Sequence, residues 1–317
     1  MFGVSIALLT TVCWSIGIFP FTEAAKRFGT AALNQYRLFL GWLVISILII
    51  CFYPVSIFQL FTTPHANHYL FLGLSGIIGF TIGDYFSFNS FKILGPKLGS
   101  LYTTIAPGAA LLAGYILLNQ TMNFIGVMGI LISISGVIWL TLSKKDKKAS
   151  EKAGFERNPK GIIFGLIGAL CQGTGLVLSK LGMDAYPEKL LTMHAVWVRL
   201  LFAFGAAFLI SIITGRMKVN SMPVFRNQNN GLPYMFVGTL FGPVLGVSFS
   251  LLAIQHLSVA TAQTIFALLP IVVLPINYFY YKEKITVQAI FACVIAVLGV
   301  FILIWRDSFN QWISLFE

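Results

Sequence analysis

Ten apolar windows of about twenty residues follow one another along the chain, and a lipid bilayer is the solvent that such a succession requires. A hydrocarbon core of about 30 Å takes ~20 apolar residues per crossing helix. Windows of that length lie at 2–22, 31–53, 68–90, 98–118, 122–142, 160–182, 192–214, 232–256, 260–281 and 285–305. Only a few residues separate 98–118 from 122–142 and 260–281 from 285–305, so each pair is expected to be an antiparallel hairpin. With 57% hydrophobic and 10% charged residues, a chain of 317 has too little polar surface to cover a soluble body. The expected fold class is an all-α integral membrane protein of about ten transmembrane helices. The first window lacks a basic leader and an A-x-A cleavage site, so it is expected to be a retained span rather than a signal peptide.

The formal net charge of +11 does not point to a nucleic-acid partner, because Lys and Arg sit between apolar stretches rather than on one folded face. Cys13, Cys51, Cys171 and Cys293 all fall in apolar stretches, with neither a disulfide framework nor metal spacing. The sequence holds no glycine-rich phosphate loop, no H-E-x-x-H, no G-x-S-x-G and no pair of intramembrane carboxylates. An enzyme, a primary pump and a cofactor are therefore not expected. The partners expected are the lipid bilayer and a small-molecule substrate; the sequence leaves homo-oligomerisation open.

An internal repeat divides the chain. Gly3, Cys13 and Gly17 recur as Gly161, Cys171 and Gly175 at an offset of 158. Gly79, Gly83, Pro107, Tyr115 and Gly136 recur as Gly242, Gly246, Pro270, Tyr278 and Gly299 at an offset of 163, and Arg37 meets Arg199 at 162. The expected organisation is a first five-helix repeat at 1–142, a solvated basic linker at 143–160, a second repeat at 161–305 and a short tail at 306–317. Five spans per half make the second half enter the membrane from the opposite side, an inverted repeat suited to alternating access. Sixteen Lys and Arg residues, seven of them in the linker, fall on one side of the membrane, whereas Lys180, Lys189 and Arg306 fall on the other. The linker is thus expected in the cytoplasm and both termini outside.

Ser75, Gly79 and Gly83, repeated as Gly238, Gly242 and Gly246, form small-residue ridges that let helix backbones approach closely. Pro107 and Pro270 lie mid-span, where each removes a backbone hydrogen bond. Of the acidic residues, Asp84 alone lies well inside a span, as either a proton carrier or a structural partner for a nearby base. Arg37 and Arg199 either snorkel or receive an anionic substrate group, which the guanidinium fork suits. Trp14 and Gln172 occupy equivalent places and are candidates to face a central cavity. For Gln172 the alternative is an interhelical bond; for Trp197 it is interface anchoring, and for His194 a structural role. Tyr85, Asn89, Tyr102, Gln255, Gln263, Asn277 and Tyr278 complete the polar candidates within spans.

Together these residues resemble the EamA-type branch of the drug/metabolite transporter superfamily over nearly the whole chain. The resemblance rests on the duplication, on Trp14-Ser15-Ile16-Gly17, and on an Arg early in each half's second span. It rests also on the proline-centred fourth spans, the second running from Leu268-Leu269-Pro270 to Glu283-Lys284-Ile285-Thr286. One departure is that the first half has Asn119-Gln120 where the second has Glu283. The resemblance implies secondary transport of small metabolites through a cavity lined by both halves, often export of amino acids or related solutes. Import or exchange of sugars, nucleotides or phosphorylated solutes is the nearest alternative, and a membrane-embedded lipid-handling protein or enzyme is the alternative of another class.

Overall fold

The computed structural model describes residues 2–53, 56–118, 124–185, 190–257, 259–305 and 308. The first half holds α1 (Phe2–Phe28), α2 (Thr30–Phe52), α3 (Ile57–Thr62), α4 (Ala66–Gly76), α5 (Asp84–Tyr102), α6 (Ala106–Leu118) and α7 (Phe124–Leu142). After α8 (Lys144–Lys152) come α9 (Pro159–Met183), α10 (Thr192–Ile213), α11 (Met217–Phe225), α12 (Leu232–Thr239), α13 (Val247–His256), α14 (Val259–Phe266), α15 (Leu269–Tyr281) and α16 (Val287–Ile304). Among the described residues the regular structure is entirely helical, and seven helical stretches are long and apolar enough to cross a membrane. One of them, Ala66–Leu117, runs for 52 residues. At 1.5 Å per residue it would be about 78 Å long if straight, far more than a bilayer core. It turns instead at Gly95, whose φ of 83° suits glycine, with Pro96 following. The fold is that of a multi-pass membrane protein.

Each half carries two helix interruptions. A π-helical segment, Ile77–Gly83, joins α4 to α5, and its counterpart Leu240–Gly246 joins α12 to α13. The wider turn leaves backbone groups out of the regular ladder, a feature frequent at functional sites. The second interruption precedes the mid-span prolines. A short 3₁₀ turn, Thr103–Ile105, leads into Pro107 on α6, and the break between α14 and α15 leads into Pro270. Proline cannot donate to the preceding turn, so a fresh helix starts there rather than a kinked one continuing.

Packing between the halves is reciprocal. A Cβ added at Gly175 of α9 would stand 3.0 Å from the Gly79 Cα, and one at Gly17 of α1 would stand 3.5 Å from the Gly242 backbone nitrogen. Thus the first helix of each half lies on the π-helical segment of the other. Ser75 reinforces one seam by donating to the Gly175 carbonyl at 2.7 Å. The ridge of Ser75 and Gly79 is a seam of close backbone approach, whereas Gly238, Gly242 and Gly246 make room for the Phe21 and Trp14 side chains. On α7 and α16, Gly136 faces Ala296 while Gly299 faces Ser133, a pair of contacts that the 163-residue offset exchanges.

The linker departs from expectation. Ser143 caps α8 by accepting from the Asp146 backbone N–H at 3.2 Å. The helix is not solvated all round: Asp146 and Ser150 are buried, and Phe155 beyond it lies over the open face of Gly95. Polarity alone suggested a water-exposed segment, but Asp146 and Ser150 turn inward and find Lys97, Thr286 and Glu283. The Asn119-Gln120 turn, Lys189 and the 306–317 tail, apart from Ser308, lie outside the described residues.

Candidate functional site

The four interruptions meet at one cavity of ≈ 150 Å³. One water needs ~10–15 Å³ of such space, so the cavity is of small-solute size. The π-helical segments contribute Gly79, Phe80, Gly242 and Pro243; the proline breaks contribute Thr103, Ala106, Pro107, Phe266, Ala267 and Leu269. Trp14 comes from α1 and Gln172 from α9, so both halves line the space. Much of the wall is aromatic, with Phe21, Phe88 and Phe91 added from the linker side. Among the described residues, three charged side chains line it: Arg37, Asp84 and Arg199.

Arg37 is held on several sides. Its Nη2 donates to Asp84 Oδ2 at 2.5 Å, and Nε and Nη2 donate to Asn34 Oδ1 at 3.1 and 2.8 Å. Asn34, three residues earlier on the same helix face, uses its own amide hydrogens on the Phe80 and Thr81 carbonyls at 3.2 and 2.9 Å. Those carbonyls belong to the π-helical segment. One side chain thereby orients the guanidinium and satisfies a broken helix. The Phe88 ring, 4.5 Å from the Arg37 Cζ, completes the enclosure.

Arg199 is 4% exposed and has a different environment. Its Cζ stands 4.2 Å from the Phe80 ring centre, and its buried Nε has no hydrogen-bond partner. Among the described residues it forms no ion pair within 4.0 Å. Nor does it snorkel, because its guanidinium faces the cavity.

A second polar assembly closes the linker side. Lys97 pairs with Asp146 at 2.8 Å and with Glu283 at 2.5 Å, while Arg157 pairs with Asp146 at 2.5 Å. Ser150 and Asn277 donate to Glu283 at 2.7 and 2.6 Å, and Thr286 donates to Asp146 at 2.8 Å. Two cations face two anions here. Burial lowers the pKa of the Arg157 guanidinium from its ordinary value, and the Asp146 charge opposes that shift. Nearby, Lys26 stands 4.4 Å from the Phe155 ring and 4.8 Å from that of Tyr281, whose hydroxyl donates to Glu23 at 2.7 Å. Residues of both halves and of the linker are thus tied into one layer.

Six of the twelve residues singled out from the sequence line the cavity: Trp14, Arg37, Asp84, Gln172, Arg199 and Gln263. The other six point elsewhere. Tyr85 and Tyr278 are exposed on the outer surface, and Asn89 is engaged by Thr30 at 2.9 Å. Tyr102 reaches Thr141 at 3.2 Å, Asn277 belongs to the linker-side assembly, and His194 is buried in α10 away from the lining. Gln255 is exposed. Trp197 does not anchor at an interface: it is fully buried and donates to Ser46 at 2.9 Å. Helix rotation decides the facing, and one polar residue in an apolar window carries no rotational phase. Asn34 escaped the sequence reading, although its spacing before Arg37 was a usable signal. The burial of Lys97 and Asp146 left no signal, since both read as loop charges.

The EamA-like transporter family matches residues 1–142 and 159–305. The chain belongs to the EamA-like transporter family. It is similar to an uncharacterized transporter of Clostridium kluyveri, with 24% identity over 233 residues that span 72% of this chain and 70% of that protein. A solved crystal structure shares the fold, with a TM-score of 0.59 and 16% identity over 95% of this chain and 97% of the other. The protein is a membrane transporter of small molecules, carried by helices that cross the bilayer several times.

Proposed function

We propose that this EamA-like protein is a secondary transporter that exports small metabolites across the cytoplasmic membrane by alternating access. The observation that carries this reading is the meeting of four helix interruptions, two from each half, around one cavity. Discontinuous helices at mid-membrane are where secondary transporters hold their substrates. Counting the arms on either side of Gly95 separately, and joining α14 to α15, gives ten crossings, five per half. The exchanged contacts Gly17–Gly242 and Gly175–Gly79 support an inverted repeat whose halves rock on glycine seams. The excess of Lys and Arg supports a cytoplasmic linker and outward termini.

On this reading the assembly of Lys97, Asp146, Arg157 and Glu283 closes the cytoplasmic side, and admission of a solute begins with its rupture. Proton coupling enters through Asp84: a proton arriving there breaks its bond to Arg37 and changes the charge of the cavity. A strongly cationic cavity, as a phosphorylated solute requires, is disfavoured because Asp84 already neutralises one of the two arginines.

Reconstituted vesicles loaded with a metabolite mixture test the proposal. Solute-specific efflux under a proton gradient is expected, and its absence sinks the transporter reading. Asp84→Asn is expected to abolish the pH dependence of that efflux; an unchanged dependence removes Asp84 as the proton carrier and leaves it as the partner of Arg37.

A further inference from the structure

The two arginines occupy corresponding places, but their partners were not duplicated. Asn34 and Asp84, which hold Arg37, correspond at offsets of 162 and 163 to Val196 and Val247. Both valines are buried, and Val247 lines the cavity. Arg199 therefore has Asp84 only as a longer-range counter-charge, already bonded to Arg37, and among the described residues its buried Nε has no hydrogen-bond partner, with the Phe80 ring on its face. A buried charge without a bonded counter-ion is costly, and the cost falls when one arrives. With Arg37 and Asp84 cancelling, the charged side chains of the cavity sum to +1.

We infer that Arg199 is the receptor for the single anionic group of the substrate, and that the substrate is a monoanionic carboxylate with an apolar, preferably aromatic, body. This rests on the transporter reading and deepens it. A carboxylate matches the guanidinium fork through two parallel N–H···O bonds, the second joining the one that satisfies Nε. The body of the substrate finds Trp14, Phe80 and Phe266, with Gln172, Gln263 and Ser250 available for neutral polar groups. A zwitterion brings no net charge and leaves the +1 uncompensated, and among the described residues the cavity has no carboxylate beyond Asp84 to take an ammonium group. A dianion overshoots. Net charge thus separates simple organic acids from amino acids, which share the same carboxylate.

The test uses radiolabelled phenylacetate bound to the purified full-length protein in lipid nanodiscs, in low-chloride buffer. Competitors are unlabelled phenylacetate, its neutral amide, phenylalanine, phenethylamine and chloride. Phenylacetate is expected to bind and to be displaced by itself at least tenfold better than by the amide or phenylalanine. Arg199→Gln is expected to weaken binding by ~10- to 100-fold, the range for a lost charge-assisted bond. Arg199→Lys, which keeps the charge without the fork, is expected to fall between. Val247→Asp supplies the missing counter-charge from within and is expected to suppress binding while Arg199 is still present; it carries the test if Arg199→Gln does not fold. The proposal is overturned if phenylacetate fails to bind, if the amide or a zwitterion competes equally, if chloride displaces it at equal concentration, or if both Arg199→Gln and Val247→Asp bind as before. Binding without efflux from vesicles would instead count against the transporter reading and leave the charge assignment standing.

Discussion

The cavity and the linker-side assembly hold similar ingredients and leave them in opposite states. At the linker side two cations and two anions are buried together, and Asp146 and Glu283 are each engaged by several donors. In the cavity one arginine is paired and the other is not. A balanced, saturated set of charges holds structure in place, because removing any member strands the rest. An unbalanced set is an invitation to a ligand, because something must supply the missing charge.

Breaking the balanced set has the largest expected effect. Lys97→Met leaves Asp146 and Glu283 facing only Arg157 in a buried site, and a destabilisation of about 3–5 kcal/mol is expected. Thermal unfolding of the purified protein in detergent, with a midpoint lowered by several degrees, checks it. An unchanged midpoint would show that water reaches the cluster and that it does not hold the linker. A smaller effect tests the paired arginine: Asn34→Ala removes the oxygen to which Arg37 Nε and Nη2 both donate and frees the Phe80 and Thr81 carbonyls. About 1–3 kcal/mol is expected, the cost of leaving buried polar groups unmet, measured in the same unfolding experiment. The smallest effect belongs to Glu151→Ala, which breaks the 3.8 Å pair with Lys147 on the exposed side of α8. A change below ~0.5 kcal/mol is expected, since both side chains are about half exposed and solvent screens them. If this variant matched Lys97→Met, the contrast between buried and exposed linker charges would collapse.

Much of the frame was legible without coordinates. The matched prolines and the small-residue ridges are local patterns that mark helix interruptions and tight packing, and the apolar windows fall in helical stretches, seven of which are long and apolar enough to cross a membrane. The equivalence of Trp14 and Gln172 placed both in the cavity wall. Legibility declined where facing mattered: Tyr278 and Tyr85 occur in the same kind of window as Gln263, yet they turn outward.

The sequence by itself determined the lipid solvent, the apolar helical segments and the matched positions of the two arginines, because each depends on composition or spacing along the chain. It also held the substitution of Asp84 by Val247 at the corresponding position, but without saying what that change would free. Tertiary structure alone decided which charges meet. Arg37 finds Asp84 across 47 residues, and Lys97 finds Asp146 across 49. Such pairings arise only when separate helices pack side by side, since the low dielectric between them penalises a stranded charge and strengthens every bond that satisfies one. The same packing left Arg199, among the described residues, without an ion pair.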